Sequence, residues 1–167
     1  MVTKKNIVVI VLLAALAGVL WWFLFPSDAR QVRSQLKETA KLVSVPTGES
    51  LLARATRANN VAGNFSPAPE LILDRSEIGR PRLITSREEI RQYFLGAHSQ
   101  LVGTRVELLD ITVAVDTKTE TAHAELTAKV THAGQSEVWA WPVRVEAVKV
   151  EGEWLVSRVE TFEVIER

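Results

Sequence analysis

A chain of 167 residues carrying 20 basic and 20 acidic side chains has no bulk charge to draw it to nucleic acid. It contains no cysteine, which excludes disulfides, thiolate metal sites, thiol nucleophiles and attachment of lipid to a cysteine. Once a short tail and one apolar run are set aside, about 140 residues remain, which is room for one domain and not two.

The first element is the run Ile7–Phe25, 19 residues without a charge. At about 1.5 Å per residue it matches a hydrocarbon core of about 30 Å, so it is read as a transmembrane anchor. Residues 1–6 are then a tail that Lys4 and Lys5 hold in the cytoplasm, and residues 27–167 form a domain on the far side, the periplasm of a bacterial inner membrane. Trp21 and Trp22 suit the outer interface, and Pro26 ends the helix. Cleavage as a signal peptide at Ala15-Leu16-Ala17 is the competing reading; it would leave an exposed apolar stretch, Val19–Phe25, at the new terminus.

All 20 acidic residues follow Phe25, with 18 basic ones, so the domain carries a net charge of −2. Ser27 is placed to cap a first helix with Val32, Leu36, Ala40 and Val43 on one face. Pro46-Thr47-Gly48 breaks it, and Leu51, Ala55, Ala58 and Ala62 make a second stripe that stops at Gly63. Leu71–Leu73 and Arg82–Ile84 flank a turn-rich bridge and predict a short strand or hairpin. Ser86 with Glu89 forms a capping box that opens a third helix, on which Ile90, Phe94, Ala97 and Leu101 recur until Gly103.

From Arg105 the apolar period falls to two. Leu109, Ile111, Val113 and Val115 predict one strand; Ala122, Ala124, Leu126, Ala128 and Val130 a second; and Trp139, Trp141, Val143, Val145 and Ala147 a third. Glu151-Gly152 turns into a fourth, from Trp154 to Ile165, completing an antiparallel meander.

Helix, helix, short strand, helix and four long strands, ending in Val150-Glu151-Gly152-Glu153-Trp154-Leu155-Val156-Ser157-Arg158-Val159-Glu160, resembles the nuclear transport factor 2-like superfamily, and within it the SnoaL-like bacterial branch. The resemblance implies an α+β fold in which a curved antiparallel sheet, cone-shaped, packs on three helices and often holds an apolar pocket at its open end. Some members are isomerases or dehydratases with a carboxylate, a phenol or a histidine inside the cone. No such motif matches here residue by residue, and fold alone does not fix a reaction.

The inward-facing candidates are Tyr93, His98 and Asp74. Tyr93 and His98 share a helix but stand five positions apart, about 140° around its axis, so they are not expected to converge, and each is read as a rim or surface residue. Tyr93, Phe94, His98, Trp139 and Trp141 are the candidate pocket lining, with core packing the plainer role for the two tryptophans. His123, His132 and Asp110 read as surface residues without partners. No catalytic residue, metal site or cofactor is assigned.

The expected role is a membrane-tethered, non-enzymatic interaction or assembly module of the cell envelope. Its expected partners are the bilayer through residues 7–25, an envelope protein, and a second copy through the sheet. The alternative is a protein that binds, or acts on, a small apolar molecule in the cone.

Overall fold

The computed structural model describes residues 27–73 and 82–161. The expected anchor, Asp74 and the end of the fourth long strand at Ile165 lie outside the described residues. Among the described residues no helix is long and apolar enough to cross a membrane.

Helix α1 (Asp28–Val43) buries Val32, Leu36 and Ala40 of the expected stripe and packs its fourth member, Val43, half-buried against the core. Ser27 stands at its N-cap, but its hydroxyl meets the Arg30 side chain at 3.4 Å instead of a backbone N–H. Asp28 supplies the negative charge that a first turn favours. Helix α2 (Leu51–Gly63) is capped by Ser50, whose hydroxyl accepts from Ala53 N. Its buried residues are Ala58, Val61 and Ala62. The expected stripe is therefore right in its second half only: Leu51 is 81 % exposed and Leu52 79 %, because the first turns have nothing packed over them among the described residues.

Strand β1 (Phe65–Leu73) begins six residues earlier than Leu71, the expected start. Pro67 and Pro69 hide it in the sequence because proline cannot donate to a ladder; both fall where the register with the neighbouring strand shifts, between Phe65 and Glu70. Strand β2 (Arg82–Ile84) pairs antiparallel with β1. Helix α3 (Arg87–Leu101) opens on the capping box, with Glu89 N donating to Ser86 Oγ at 3.2 Å and the Glu89 carboxylate accepting from Thr85 N at 2.9 Å. It buries Ile90, Phe94 and His98.

The meander follows as β3 (Thr104–Asp116), β4 (Thr121–His132), β5 (Val138–Val150) and β6 (Glu153–Thr161). The six strands lie in the order β2-β1-β6-β5-β4-β3, with β1 parallel to β6 and every other pair antiparallel. One expectation for β3 fails. The alternation puts Leu109 on one face with Ile111, Val113 and Val115, but Asp110 takes φ +52° and the register with β4 slips between Leu109 and Thr112. This bulge turns Leu109 outward and leaves Leu108 packed on the core with Ile111.

The core joins Val32 and Leu36 of α1, Ala58 and Val61 of α2 and Phe94 of α3 to Ala122, Ala124, Leu126, Val143, Val145 and Ala147 on the inner face of the sheet. The molecule has two ends. At one, Asp28 accepts from Lys149 Nζ at 2.8 Å and from Trp154 Nε1 at 3.2 Å, fastening the start of α1 to the β5–β6 hairpin. At the other, Val45 exchanges backbone hydrogen bonds with Thr104 and Gly103, and Ala133 N donates to Gly103 O.

Gly103 has φ +82°, and an added Cβ would lie 3.1 Å from Ala133 Cβ. Gly103→Ala is therefore expected to cost about 1–3 kcal/mol from the left-handed backbone and the clash, read as a lower thermal midpoint. An unchanged midpoint would show that this junction relaxes freely.

Candidate functional site

The most developed polar site joins the α1–α2 turn to two helices. Glu49 lies in that turn and its side chain is buried. Its Oε2 is 3.0 Å from His98 Nε2 on α3, and its Oε1 accepts from Arg57 Nε on α2 at 2.7 Å. Arg57 Nη1 continues to the carbonyls of Leu42, in the last turn of α1, and of Ser44, its C-cap, both at 3.2 Å, and so gives a donor to carbonyls that the helix end leaves unbonded. Nearby, the Arg54 guanidinium donates to Leu95 O of α3.

Burial pushes the Glu49 carboxyl upward more than any other single influence. The hydrogen bonds from His98 and Arg57, together with the charges of both, outweigh it and hold the group below its ordinary 4.5. A carboxylate so held only accepts, so Nε2 is the nitrogen of His98 that carries a proton toward it. Phe94 meets the imidazole edge-on, with ring centroids 6.5 Å apart. Glu49 uses both carboxylate oxygens on protein partners, an arrangement that fixes three elements together and keeps neither oxygen for a substrate.

The expected site residues scatter. His98 is 6 % exposed, buried where a rim position was expected, because the C-terminal turn of α3 packs against the Glu49 turn. Phe94 is in the core; Tyr93, beside it, is half-buried against that core. Trp139 is half-buried and Trp141 is 42 % exposed, although Val143, Val145 and Ala147 farther along the same face of β5 are buried. The sheet there runs out beyond the helices. His123 is exposed as expected; His132, read as lacking a partner, has Thr104 Oγ1 3.2 Å from its Nδ1. Asp110 is exposed, at the bulge.

Glu49 and Arg57 were not singled out by the sequence. One signal was present: Glu49 is the lone carboxylate between Glu38 and Glu70, in a stretch that carries Lys41, Arg54 and Arg57. Among the described residues no cluster of three or more histidine, aspartate or glutamate side chains is arranged to hold a metal ion.

No family model matches the chain, and no curated protein matches it. Solved structures do. An NTF2-like protein with a cystatin-like fold from Novosphingobium aromaticivorans superposes with TM-score 0.63 at 17 % identity, over 96 % of this chain and 90 % of that one. An NTF2-like protein of unknown function from Pseudomonas putida KT2440 gives TM-score 0.65 at 10 % identity, over 85 % and 90 %. The fold is that of the NTF2-like proteins. A further match is a putative calcium/calmodulin-dependent protein kinase II association domain from Xanthomonas campestris, with TM-score 0.61 at 20 % identity over 86 % and 94 %. In this chain, which has the NTF2-like fold, the middle of the cone is packed by Phe94, Val32 and Leu36 against the alanines and valines of β4 and β5. The described cavities lie elsewhere: one between α1, the end of α2 and the β5–β6 hairpin, lined by Gln31, Gln35 and Trp154; one between α1 and β3, lined by Lys37 and Leu108; and one along α2 beside the Glu49 turn, lined by Leu52 and Asn60.

Proposed function

We propose that the chain is a membrane-tethered, non-enzymatic interaction or assembly module of the bacterial envelope, from the SnoaL-like branch of its fold. Residues 7–25 are its inner-membrane anchor, the amino terminus is cytoplasmic and the domain periplasmic. The reading rests on where apolar surface is left open. Of the six exposed large apolar side chains among the described residues, Leu83 and Leu109 lie on the two edge strands, and the other four, Leu51, Leu52, Val138 (55 % exposed) and Trp141, belong to the end opposite Asp28, where the chain enters the domain. An anchor ahead of Asp28 holds that end away from the lipid, so the apolar side chains there have a protein to meet and not a bilayer. A second copy, packed sheet to sheet through Trp141, and an envelope protein are the two partners of matching chemistry. The buried Glu49–His98 pair supports the same reading, since both carboxylate oxygens are engaged within the protein.

The test places a photo-crosslinking phenylalanine analogue at position 141 or 123 of the full chain in its native host. Position 141 is expected to give discrete adducts, either with itself or with an envelope protein, while 123, on the opposite face, gives none. Alkaline extraction should leave the protein with the membranes. Absence of adducts at 141, or release of a shorter soluble form, would overturn the proposal.

A further inference from the structure

Sheet order leaves β3 at an edge, where unpaired backbone groups are open to addition of another strand. Helix α1 runs alongside that edge. Arg33, Lys37, Lys41 and Ser44 follow one another at spacings of four, four and three, on one line of the helix. The two ends of the line are bonded to the strand: Arg33 Nη2 donates to Ile111 O at 3.1 Å, and Ser44 Oγ accepts from Val106 N at 2.9 Å. Its middle is not. Lys41 turns to Glu38 at 2.7 Å, and Lys37 has no partner among the described residues.

In an antiparallel ladder, backbone groups two residues apart point the same way. Val106 turns outward to Ser44, so Leu108 turns its N–H and C=O outward as well, into the part of the gap that the helix leaves unbonded. A cavity of about 690 Å³ occupies this gap, lined by Ala40, Val106, Leu108 and Leu109 between Lys37, Lys41 and Arg105. The Asp110 bulge is what brings Leu109 to the surface here. Three carboxylates are present, Glu38 on Lys41, Glu107 between Arg105 and Lys129, and Asp110 at the bulge, and the cations Arg33, Lys37, Lys41, Arg105 and Lys129 outnumber them.

We propose that the gap between α1 and β3 docks a short, extended, acidic segment of a partner protein. The segment pairs its backbone with Leu108, lays apolar side chains on Leu108 and Leu109, and sets its carboxylates against Lys37, Lys41 and Arg105. From Val106 to Ile111 the strand advances about 15 Å, so four or five residues fill it. Arg33 and Ser44 close the two ends, which admits a short peptide and stops a longer strand from building on the edge. The site lies on the edge of the sheet, in the row Leu108–Ala128–Trp141 that leads to the apolar end invoked above, and because its test reads Lys37, Lys41 and the peptide backbone it stands whether or not Trp141 has a partner.

The test uses the full chain in lipid nanodiscs and a fluorescein-labelled acetyl-Glu-Val-Glu-Val-Glu peptide, read by anisotropy. Saturable binding that weakens with added salt is expected. The K37E/K41E double variant should weaken it about tenfold or more. Methylating the backbone nitrogens of the two peptide valines should weaken it similarly, because that removes the pairing and keeps the charge. Both lysines line an open groove, so the variant should keep its melting temperature; R105E replaces it if it does not fold. No saturable binding, equal binding by the charge-reversed variant, or equal binding of the methylated peptide would each overturn the proposal. So would laurate binding more tightly than the peptide, which would make the occupant an anionic amphiphile.

Discussion

Phe94→Ala is expected to destabilise the domain by about 3–5 kcal/mol, comparable with the whole stability of many domains of this size. Phe94 is buried on α3 against the sheet and also edges the His98 ring, so its removal opens a cavity between two layers that cannot close on each other. Trp141→Ala is the informative contrast. From its stripe the sequence predicts a buried side chain and a comparable loss; at 42 % exposure the expected cost falls to about 1 kcal/mol. Urea unfolding of the two variants in parallel checks this. Equal losses would mean that Trp141 is covered in solution or that Phe94 is not central.

The second large effect is electrostatic. Glu49→Ala leaves Arg57 and His98 facing a space that their shared carboxylate filled, and is expected to cost about 3 kcal/mol at neutral pH. His98→Gln, which from a rim position would be harmless, is expected to be destabilising too, because the imidazole is buried against Glu49. The pH dependence carries a sign. The folded Glu49 carboxyl sits below its ordinary 4.5, so its ionised form contributes stability that is complete above that value and is lost as pH falls through the lower, folded one. Between about pH 5 and pH 3 the native chain should therefore lose more stability than Glu49→Ala, so the gap between them narrows on acidification. Parallel curves across that interval would show that Glu49 is not held ionised by its partners.

What the sequence discloses of this fold is what is settled within a few residues. The capping box of Ser86 and Glu89, the buried stripe Val32–Leu36–Ala40 and the alternation Ala122–Ala124–Leu126 each follow from neighbours one turn or two positions away, and all three hold. The failures are places where a distant element overrules the local pattern. Leu51 and Ala55 belong to a helical stripe, but nothing covers that end of α2 among the described residues. Leu109 keeps the strand period until one residue in the left-handed region at Asp110 moves it to the other side. Pro67 and Pro69 conceal a strand whose partner, β6, lies some ninety residues later and runs parallel. The Glu49–His98 pair joins positions 49 apart in the chain, a separation at which no sequence periodicity operates.

The fastening of Asp28 has a mechanical consequence. The first helical residue is tied by its carboxylate to Lys149 and Trp154, on the last hairpin of the sheet, with the lysine ammonium 5.6 Å above the indole ring. A pull or twist applied to the chain ahead of residue 28 is thus borne at its entry point by two strands as well as by the helix. Force that reaches residue 28 is spread over the sheet at once, as a hinge plate spreads a load, instead of peeling the helix away from its end.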